Sequence, residues 1–279
     1  MRKSKRKIAL LLSDSHAWFN LGLVNPESPI DGLSLNSSQL QLWNTYTSGI
    51  EKTKDLAGKD EIIVLHLGDI TDGNKHPSDL INFELSPQII SSAYNFIPIM
   101  ELPNVKKLRI TGGTYAHNFN ENSSEKMVKF FLKNSYPKKS IEVIDHGLLD
   151  IDNCLIDYSH HGPNVGNFVW TKGNSLRSYL RNYMLTEIEL GNHPADLVLR
   201  GHFHDYTREW LEISWGGNYF ESWLVVMPPL CLMSGYSRQS TKSKFLVSPG
   251  VIAVEIIDGK IAKIYPFIDT FDMRIKETV

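Results

Sequence analysis

The chain has 279 residues, of which 42% are hydrophobic and 22% are charged, and its formal net charge is -2 at pH 7. This composition is ordinary for a globular protein, and the near balance of charges excludes a chain-wide basic field for nucleic acid. Two cysteines are too few for a disulfide framework and favour a reducing compartment, so we expect a cytoplasmic protein.

The chain begins with a basic segment followed by apolar residues, a pattern that resembles a secretion signal. The apolar run ends at Ser13 after about six residues, whereas a signal peptide needs about 7–15. We therefore interpret residues 1–7 as a solvated basic tail that leads into the first strand. No stretch approaches the ~18 apolar residues of a transmembrane helix, so we expect no membrane partner.

Six apolar runs of strand length recur along the chain, and five of them end in polar residues that can hold a metal. The runs cover residues 7–16, 61–72, 106–118, 141–151, 154–162 and 195–204. Short continuous apolar runs are typical of strands that are covered on both faces.

Four segments between these runs have helical spacing. They cover residues 37–57, 86–101, 123–134 and 174–190. Serines are expected to cap the first helix, and Ser86 with Pro87 to begin the second. A capping-box pattern begins the third segment, and Gly191 follows the fourth. Strands that alternate with helices predict a largely parallel sheet in the first part of the chain.

The last third of the chain has a different character. Residues 205–266 contain strand-like runs and few helical stretches, which predicts antiparallel strands that complete a second sheet. Residues 17–36 and 227–249 fit neither pattern and are expected to be long loops near the functional site. Because the chain has no internal repeat and no low-complexity linker, residues 1–279 are expected to form a single domain.

Apolar runs other than 141–151 end in carboxylate, imidazole or hydroxyl groups, often beside a glycine. The motifs are Asp14-x-His16, Gly68-Asp69-x-x-Asp72, Gly113-Thr114-x-x-His117, His160-His161-Gly162 and Gly201-His202-x-His204. In an open sheet, ligand sites gather at the carboxyl ends of the strands, so these side chains are predicted to converge. Mixed nitrogen and oxygen donors suit Mn, Fe, Zn or Ni better than Ca.

The order of these motifs resembles the calcineurin-like metallophosphoesterase superfamily. Its members carry DxH, GDxxD, GNH(D/E), a later histidine and GHxH in that order, and the resemblance spans about residues 8–206. It implies an α/β fold with a four-layer α/β/β/α sandwich, two packed mixed sheets, and a dinuclear metal centre where the sheets meet.

The resemblance also implies a role for each motif residue. Asp14, His16 and His204 would hold one metal ion, and Asp69 would bridge both. His202 and one histidine of the 160–161 pair would hold the second ion. A His-Gly step after the strand matches many members, so His161 is favoured and His160 is the alternative. Asp72 would orient a neighbouring histidine or water.

One motif departs from the family pattern. The stretch "GGTYAHN" replaces GNH(D/E), so Thr114 stands at the position of the metal-binding asparagine, as in phage-type members. A hydroxyl is a poorer ligand than an amide carbonyl, which predicts a weaker second ion. His117 is expected to be the proton donor, a metal ligand or a structural residue. Thr114, His76 and Asn118 are candidates for substrate contact.

The implied activity is hydrolysis of phosphoesters by a hydroxide shared between two divalent ions, Mn²⁺ first, with Fe, Zn, Ni or Mg as alternatives. Asp69 and His117 would be catalytic. A phosphatase acting on phosphoproteins or small phosphomonoesters is favoured over a phosphodiesterase or nuclease acting on nucleic acid or nucleotides. A metal-free scaffold of the same fold is the non-enzymatic alternative. The sequence indicates no oligomeric state.

Overall fold

A computed structural model describes residues 5–75, 80–81, 84–166, 168, 170–235, 238, 241, 244–275 and 277. These residues form an α/β structure with four helices, two mixed multi-stranded sheets and a small two-stranded ribbon. The helices are α1 (Ser37–Ala57), α2 (Leu85–Met100), α3 (Ser123–Ser135) and α4 (Asn174–Glu189). None of the helices in these ranges is both long and apolar enough to cross a membrane.

The first sheet has six strands in the order β12-β11-β1-β2-β3-β4. Their bounds are β1 Arg6–Leu12, β2 Glu61–His66, β3 Val105–Thr111, β4 Ser140–Ile144, β11 Gly250–Ile257 and β12 Lys260–Ile268. The strands β1 to β4 are parallel, as the alternation of strands and helices predicts. β11 pairs antiparallel with β1, and β12 pairs antiparallel with β11.

The second sheet has five strands in the order β5-β6-β7-β9-β8. Their bounds are β5 His146–Ile151, β6 Cys154–Ser159, β7 Leu197–Arg200, β8 Thr207–Trp215 and β9 Asn218–Val226. β6, β7 and β9 run parallel, and the two outer strands run antiparallel to their neighbours. β10 (Leu246–Val247) and β13 (Phe271–Asp272) form the separate ribbon.

Three hydrophobic clusters give the order of the layers. The first packs α1, α2 and α3 on one face of the first sheet and includes Leu10 and Tyr46. The second lies between the two sheets and includes Leu11 and Leu199. The third packs α4, through Leu180, on the outer face of the second sheet. Successive residues of β1 therefore serve different clusters, because side chains alternate across a strand.

The structure corrects two expectations about strands. The run 141–151 is not one strand: it divides into β4 and β5, which belong to different sheets. The antiparallel strands of the last third do not all complete the second sheet, because β11 and β12 extend the first one. An apolar run of this kind predicts that a strand exists. The sheet that the strand joins depends on where the chain turns.

The helix ranges agree with the prediction to within two residues, but three of the predicted caps were wrong. The side chain of Asn36, not a serine, caps α1 in a capping box. α2 begins after Glu84, so Pro87 occupies the third helical position, where its missing N–H is still tolerated. Asn122, in a left-handed conformation, precedes α3 and makes no side-chain cap bond. Gly191 follows α4 with φ 79°, as predicted.

Candidate metal centre

Five predicted site residues have left-handed backbone conformations just beyond the ends of strands. Asp14 and His16 follow β1, Asp69 follows β2, and His202 and His204 follow β7. Their φ angles range from 40° for His16 to 72° for His202. Residues with a side chain adopt this region rarely, and it clusters at ligand sites where surrounding structure compensates the strain. Tight turns, and not the extended spacing assumed from the sequence, therefore bring Asp14 and His16 together.

Two glycines allow these turns to approach one another closely. A Cβ atom at Gly113 would lie 2.2 Å from Oδ1 of Asp69. A Cβ atom at Gly201 would lie 2.4 Å from Oγ of Ser13. Both distances are far below van der Waals contact, so any larger residue would push the turns apart.

Asp14, His16 and His204 form the first group of donors. Oδ1 of Asp14 lies 3.1 Å from Nε2 of His204, and the Nε2 atoms of His16 and His204 are 3.3 Å apart. Oδ1 of Asp72 lies 3.0 Å from Nδ1 of His16 and so turns Nε2 of that ring towards the group. This contact has the geometry that outer partners give to metal-binding histidines.

Asp69, Thr114, His160 and His202 form the second group. Oδ2 of Asp69 lies 3.0 Å from Nε2 of His160, and Oδ1 accepts a hydrogen bond of 2.6 Å from the Thr114 N–H. Oγ1 of Thr114 lies 3.1 Å from Nε2 of His160 and 3.2 Å from Nδ1 of His202. Nδ1 of His160 bonds to the Leu67 carbonyl. The hydroxyl that replaces the expected asparagine thus lies among the donors.

The two adjacent histidines are placed differently. His160 is 1% exposed and contacts Asp69, whereas His161 is exposed to solvent. The ring of His161 lies beside that of His202, with 4.8 Å between their centroids. His160, which was the alternative for this pair, is therefore the histidine that contacts the Asp69 carboxylate.

Buried histidine, aspartate and cysteine side chains in this region could hold a metal ion. In each of four groups of three residues, one donor atom per residue lies within 4.8 Å of the others. The groups are His16–His204–Cys231, His160–His161–His202, His16–Asp69–His117 and Asp14–Asp69–His160. Asp69, His16 and His160 occur in two groups each, so the groups form one continuous cluster.

Burial opposes ionisation of Asp14 and Asp69, yet the pKa of each carboxyl lies well below its usual range. The charges and hydrogen bonds of His204, for Asp14, and of His160, for Asp69, outweigh the burial. Within the described ranges, no lysine or arginine forms an ion pair with either carboxylate. Two buried anions thus depend on imidazoles for compensation.

The same coupling raises the pKa of three histidines. At His204, burial is outweighed by Cys231 and Asp14, which raise its pKa well above the usual value. Burial would lower the pKa of His16, but Cys231, Asp72 and Asp69 together raise it to about 9. Burial is likewise outweighed at His160, whose pKa Asp69 raises to about 9. These protonated rings supply positive charge beside the buried carboxylates. A divalent cation fits the same place, because it would neutralise the carboxylates and bind the nitrogens that now hold protons.

His117 lies at the edge of the first group. Its ring centroid is 4.6 Å from that of His16, and its Nδ1 lies 2.5 Å from the Asp72 carbonyl. The Nδ1–H therefore donates to this carbonyl, which leaves Nε2 to exchange a proton or to bind a metal. Burial, followed by the charge of His16, lowers the pKa of His117. Both the proton-donor role and the ligand role are compatible with this placement.

Of the other two candidates for substrate contact, Asn118 is the one that lies within the described residues. Asn118 is 5% exposed, and its amide donates to the Gly113 carbonyl and to Asn122 Oδ1 at 3.3 and 2.9 Å. The structure thus uses this side chain to hold the loop between β3 and α3. His76 lies outside the described residues.

Cys231 was not among the predicted site residues, because two cysteines are too few for a metal site made of sulfur donors. The structure places Sγ of Cys231 3.6 Å from Nδ1 of His204. Cys231 follows β9, which pairs in parallel with β7, the strand that leads to His204. The rule that ligand sites gather at strand ends, applied to this strand too, was the signal that could have found it.

The chain matches no protein-family model, and no curated protein is significantly similar to it. The resemblance to metallophosphoesterases therefore stays a prediction from the order of the motifs.

Metal binding to this cluster is predicted to release protons. At pH 7, His16, His160 and His204 are protonated, because the first two have pKa values of about 9 and the pKa of His204 is raised well above its usual value. Mn²⁺ must displace these protons, so its binding should release about three of them, and its affinity should fall as the pH decreases from 9 to 6. Calorimetric titrations in buffers of different ionisation enthalpy measure both effects. An affinity that is independent of pH over this range would contradict the prediction.

Proposed function

We propose that the protein is a metal-dependent phosphoesterase with two divalent ions bridged by Asp69. The observation that carries the proposal is the position of this carboxylate between two sets of imidazoles. Oδ2 of Asp69 lies 3.0 Å from Nε2 of His160 and 3.9 Å from Nε2 of His16. Two-metal hydrolases of phosphoesters need such a shared anionic ligand, because it holds the ions about 3.5–4 Å apart.

The residues that would hold the ions follow from the two donor groups. Asp14, His16 and His204 would bind the first ion, and His160 and His202 the second. His160 replaces His161 in this assignment because it contacts Asp69 and is buried. Mn²⁺ is proposed first, with Fe, Zn, Ni or Mg as alternatives, since mixed nitrogen and oxygen donors accept all of them with different affinities.

The bound ions would lower the pKa of a water nucleophile and neutralise charge on the phosphoryl oxygens. The protein's own groups would orient the ligand rings, protonate the leaving group and contact the substrate. Asp72 fixes the ring of His16 through Nδ1, and its carbonyl fixes His117. His117 would protonate the leaving alkoxide through Nε2 in its doubly protonated form, which its lowered pKa makes the minor form at pH 7. Thr114, which is half-buried, is placed to contact the phosphoryl group beside His202.

The buried carboxylates argue against an inert scaffold. A scaffold would gain nothing from Asp14 and Asp69, which are 0% and 1% exposed. Burying an anion is costly unless it is paired or coordinates a metal, and apolar residues of the same size would stabilise the fold better. The retention of both anions beside inward-facing imidazoles therefore supports a working metal centre.

Phosphomonoesters are the favoured substrates, but one feature supports a second candidate, a phosphodiesterase acting on single-stranded nucleic acid. Phe168 and Trp170 stack with 5.2 Å between ring centroids and 12° between planes, and Trp170 is 80% exposed. The nearby Lys172 bonds at 2.7 Å to Asp205, the residue that follows His204 in the chain. Exposed aromatic rings with a neighbouring cation are the means by which proteins stack unpaired bases.

Replacement of the bridging carboxylate tests the proposed centre. Asp69→Asn should lower Mn²⁺-dependent hydrolysis of p-nitrophenyl phosphate about a thousandfold or more, because one shared ligand serves both ions. Elemental analysis should show less bound metal, while circular dichroism shows a retained fold. Asp55→Asn, an exposed position on α1, is the matched control and should behave like the unaltered protein. Full turnover by Asp69→Asn would refute the proposal.

The role of His117 can be separated from metal ligation. His117→Asn should leave the metal content unchanged and lower kcat about 10²–10⁴-fold for an alkyl phosphate. The loss should be much smaller for p-nitrophenyl phosphate, because its leaving group needs little protonation. His193→Asn, at an exposed position, is the control. A loss of metal with equal effects on both substrates would identify His117 as a ligand instead.

The nucleic-acid alternative predicts a specific effect at the aromatic pair. Trp170→Ala should raise the KM for single-stranded DNA roughly tenfold, since stacking contributes about 1–3 kcal/mol per base. Turnover of p-nitrophenyl phosphate should not change. Trp215→Ala, at a half-exposed position on β8, is the control. An unchanged KM for DNA would remove the support for this second candidate.

A further inference from the structure

Three histidines of the centre share one arrangement: Nδ1 bonds to an oxygen acceptor outside the cluster. The acceptors are the Asp72 carboxylate for His16, the Leu67 carbonyl for His160 and the Asp72 carbonyl for His117. Such outer partners fix the tautomer and direction of a ligand ring and raise its basicity. His204 departs from this arrangement, because its Nδ1 lies 3.6 Å from Sγ of Cys231.

Cys231 is held firmly in place by its own backbone neighbours. The N–H of Leu230 donates to the carbonyls of Ser13 and Asp14, at 3.1 and 3.0 Å. The N–H of Leu232 donates to the Leu21 carbonyl at 2.8 Å. These bonds tie the segment after β9 directly to the turn that carries Asp14.

The position of Cys231 is fixed relative to both His204 and the first donor group. Cys231 is 1% exposed, so its sulfur is shielded from solvent where it faces Nδ1 of His204. On the other side of the ring, Nε2 of His204 faces Oδ1 of Asp14 at 3.1 Å and Nε2 of His16 at 3.3 Å. One ring therefore links the sulfur to the place proposed for the first ion.

We propose that Cys231 is a positioning residue of the metal centre. Its sulfur accepts the Nδ1–H of His204 and thereby keeps Nε2 of that ring directed at Asp14 and His16. Cysteine thus does for His204 what oxygen acceptors do for the other three histidines. The inference rests on the proposed metal centre, but it does not depend on which substrate the protein hydrolyses.

The inference leads to different expectations for two substitutions. Cys231→Ala removes the acceptor and leaves the ring free to rotate, so the affinity for one of the two Mn²⁺ ions should fall about 10–100-fold. Cys231→Ser keeps an acceptor at nearly the same place, so it should restore most of that affinity. A residue that only fills space would not show this rescue, because serine is small and more polar than the core prefers.

The second cysteine offers a matched control. Cys154, in β6, is also fully buried, but it packs in the apolar cluster between the two sheets. Cys154→Ala removes the same atom from the core and should lower the unfolding temperature without changing the affinity for either ion. Calorimetric Mn²⁺ titration of the unaltered protein and the three variants, with thermal unfolding of each, makes the comparison.

The outcomes separate this inference from the proposed function. Weakened binding of one ion in Cys231→Ala, with recovery in Cys231→Ser, supports the positioning role. Unaltered affinity in Cys231→Ala overturns it, and so does equal loss in Cys231→Ser and Cys231→Ala. If the unaltered protein binds Mn²⁺ but hydrolyses neither mono- nor diesters, the proposed function fails while the positioning role stands or falls on the titrations.

Discussion

Two aspartates buried within one cluster are the constraint on which the rest of this structure depends. Asp14 and Asp69 are 0% and 1% exposed, and an unpaired carboxylate in such surroundings would cost several kcal/mol. Among the described residues, both carboxylates pair with imidazoles and not with lysine or arginine. Imidazolium groups can lose their protons to solvent when a metal ion binds the ring nitrogen at moderate pH, whereas guanidinium groups cannot. The choice of partner thus makes the anions available to a metal.

The fold brings these groups together through its two sheets. β1 and β2 are adjacent parallel strands, and the turns beyond their ends are joined by hydrogen bonds from the Asp14 N–H to the Gly68 carbonyl and from the His16 N–H to the Asp69 carbonyl. The second sheet contributes His160 and His204 from beyond β6 and β7, which are also parallel neighbours. The apolar cluster between the sheets holds the two edges at a fixed separation. The centre therefore lies where the carboxyl ends of both sets of parallel strands meet.

The surroundings of the cluster divide it into a fixed side and an accessible side. Asp72 and the Leu67 carbonyl hold rings from the buried side, and Cys231 lies behind His204. Exposed His161 and half-buried Thr114 lie on the accessible side. For the proposed phosphoesterase, a set of donors that is open on one face would admit a substrate from solvent to a geometry that is already in place.

The sequence by itself determined the class of fold, the positions of the helices and most strands, and the residue types of the candidate centre. Buried parallel strands need continuous apolar runs, and polar groups at their ends stand out against that background. The tertiary structure decided which sheet each strand joined, that His160 and not His161 contacts Asp69, and that Cys231 lies against His204. These outcomes depend on left-handed turns and on contacts between residues about 30 to 190 positions apart, which local spacing does not encode.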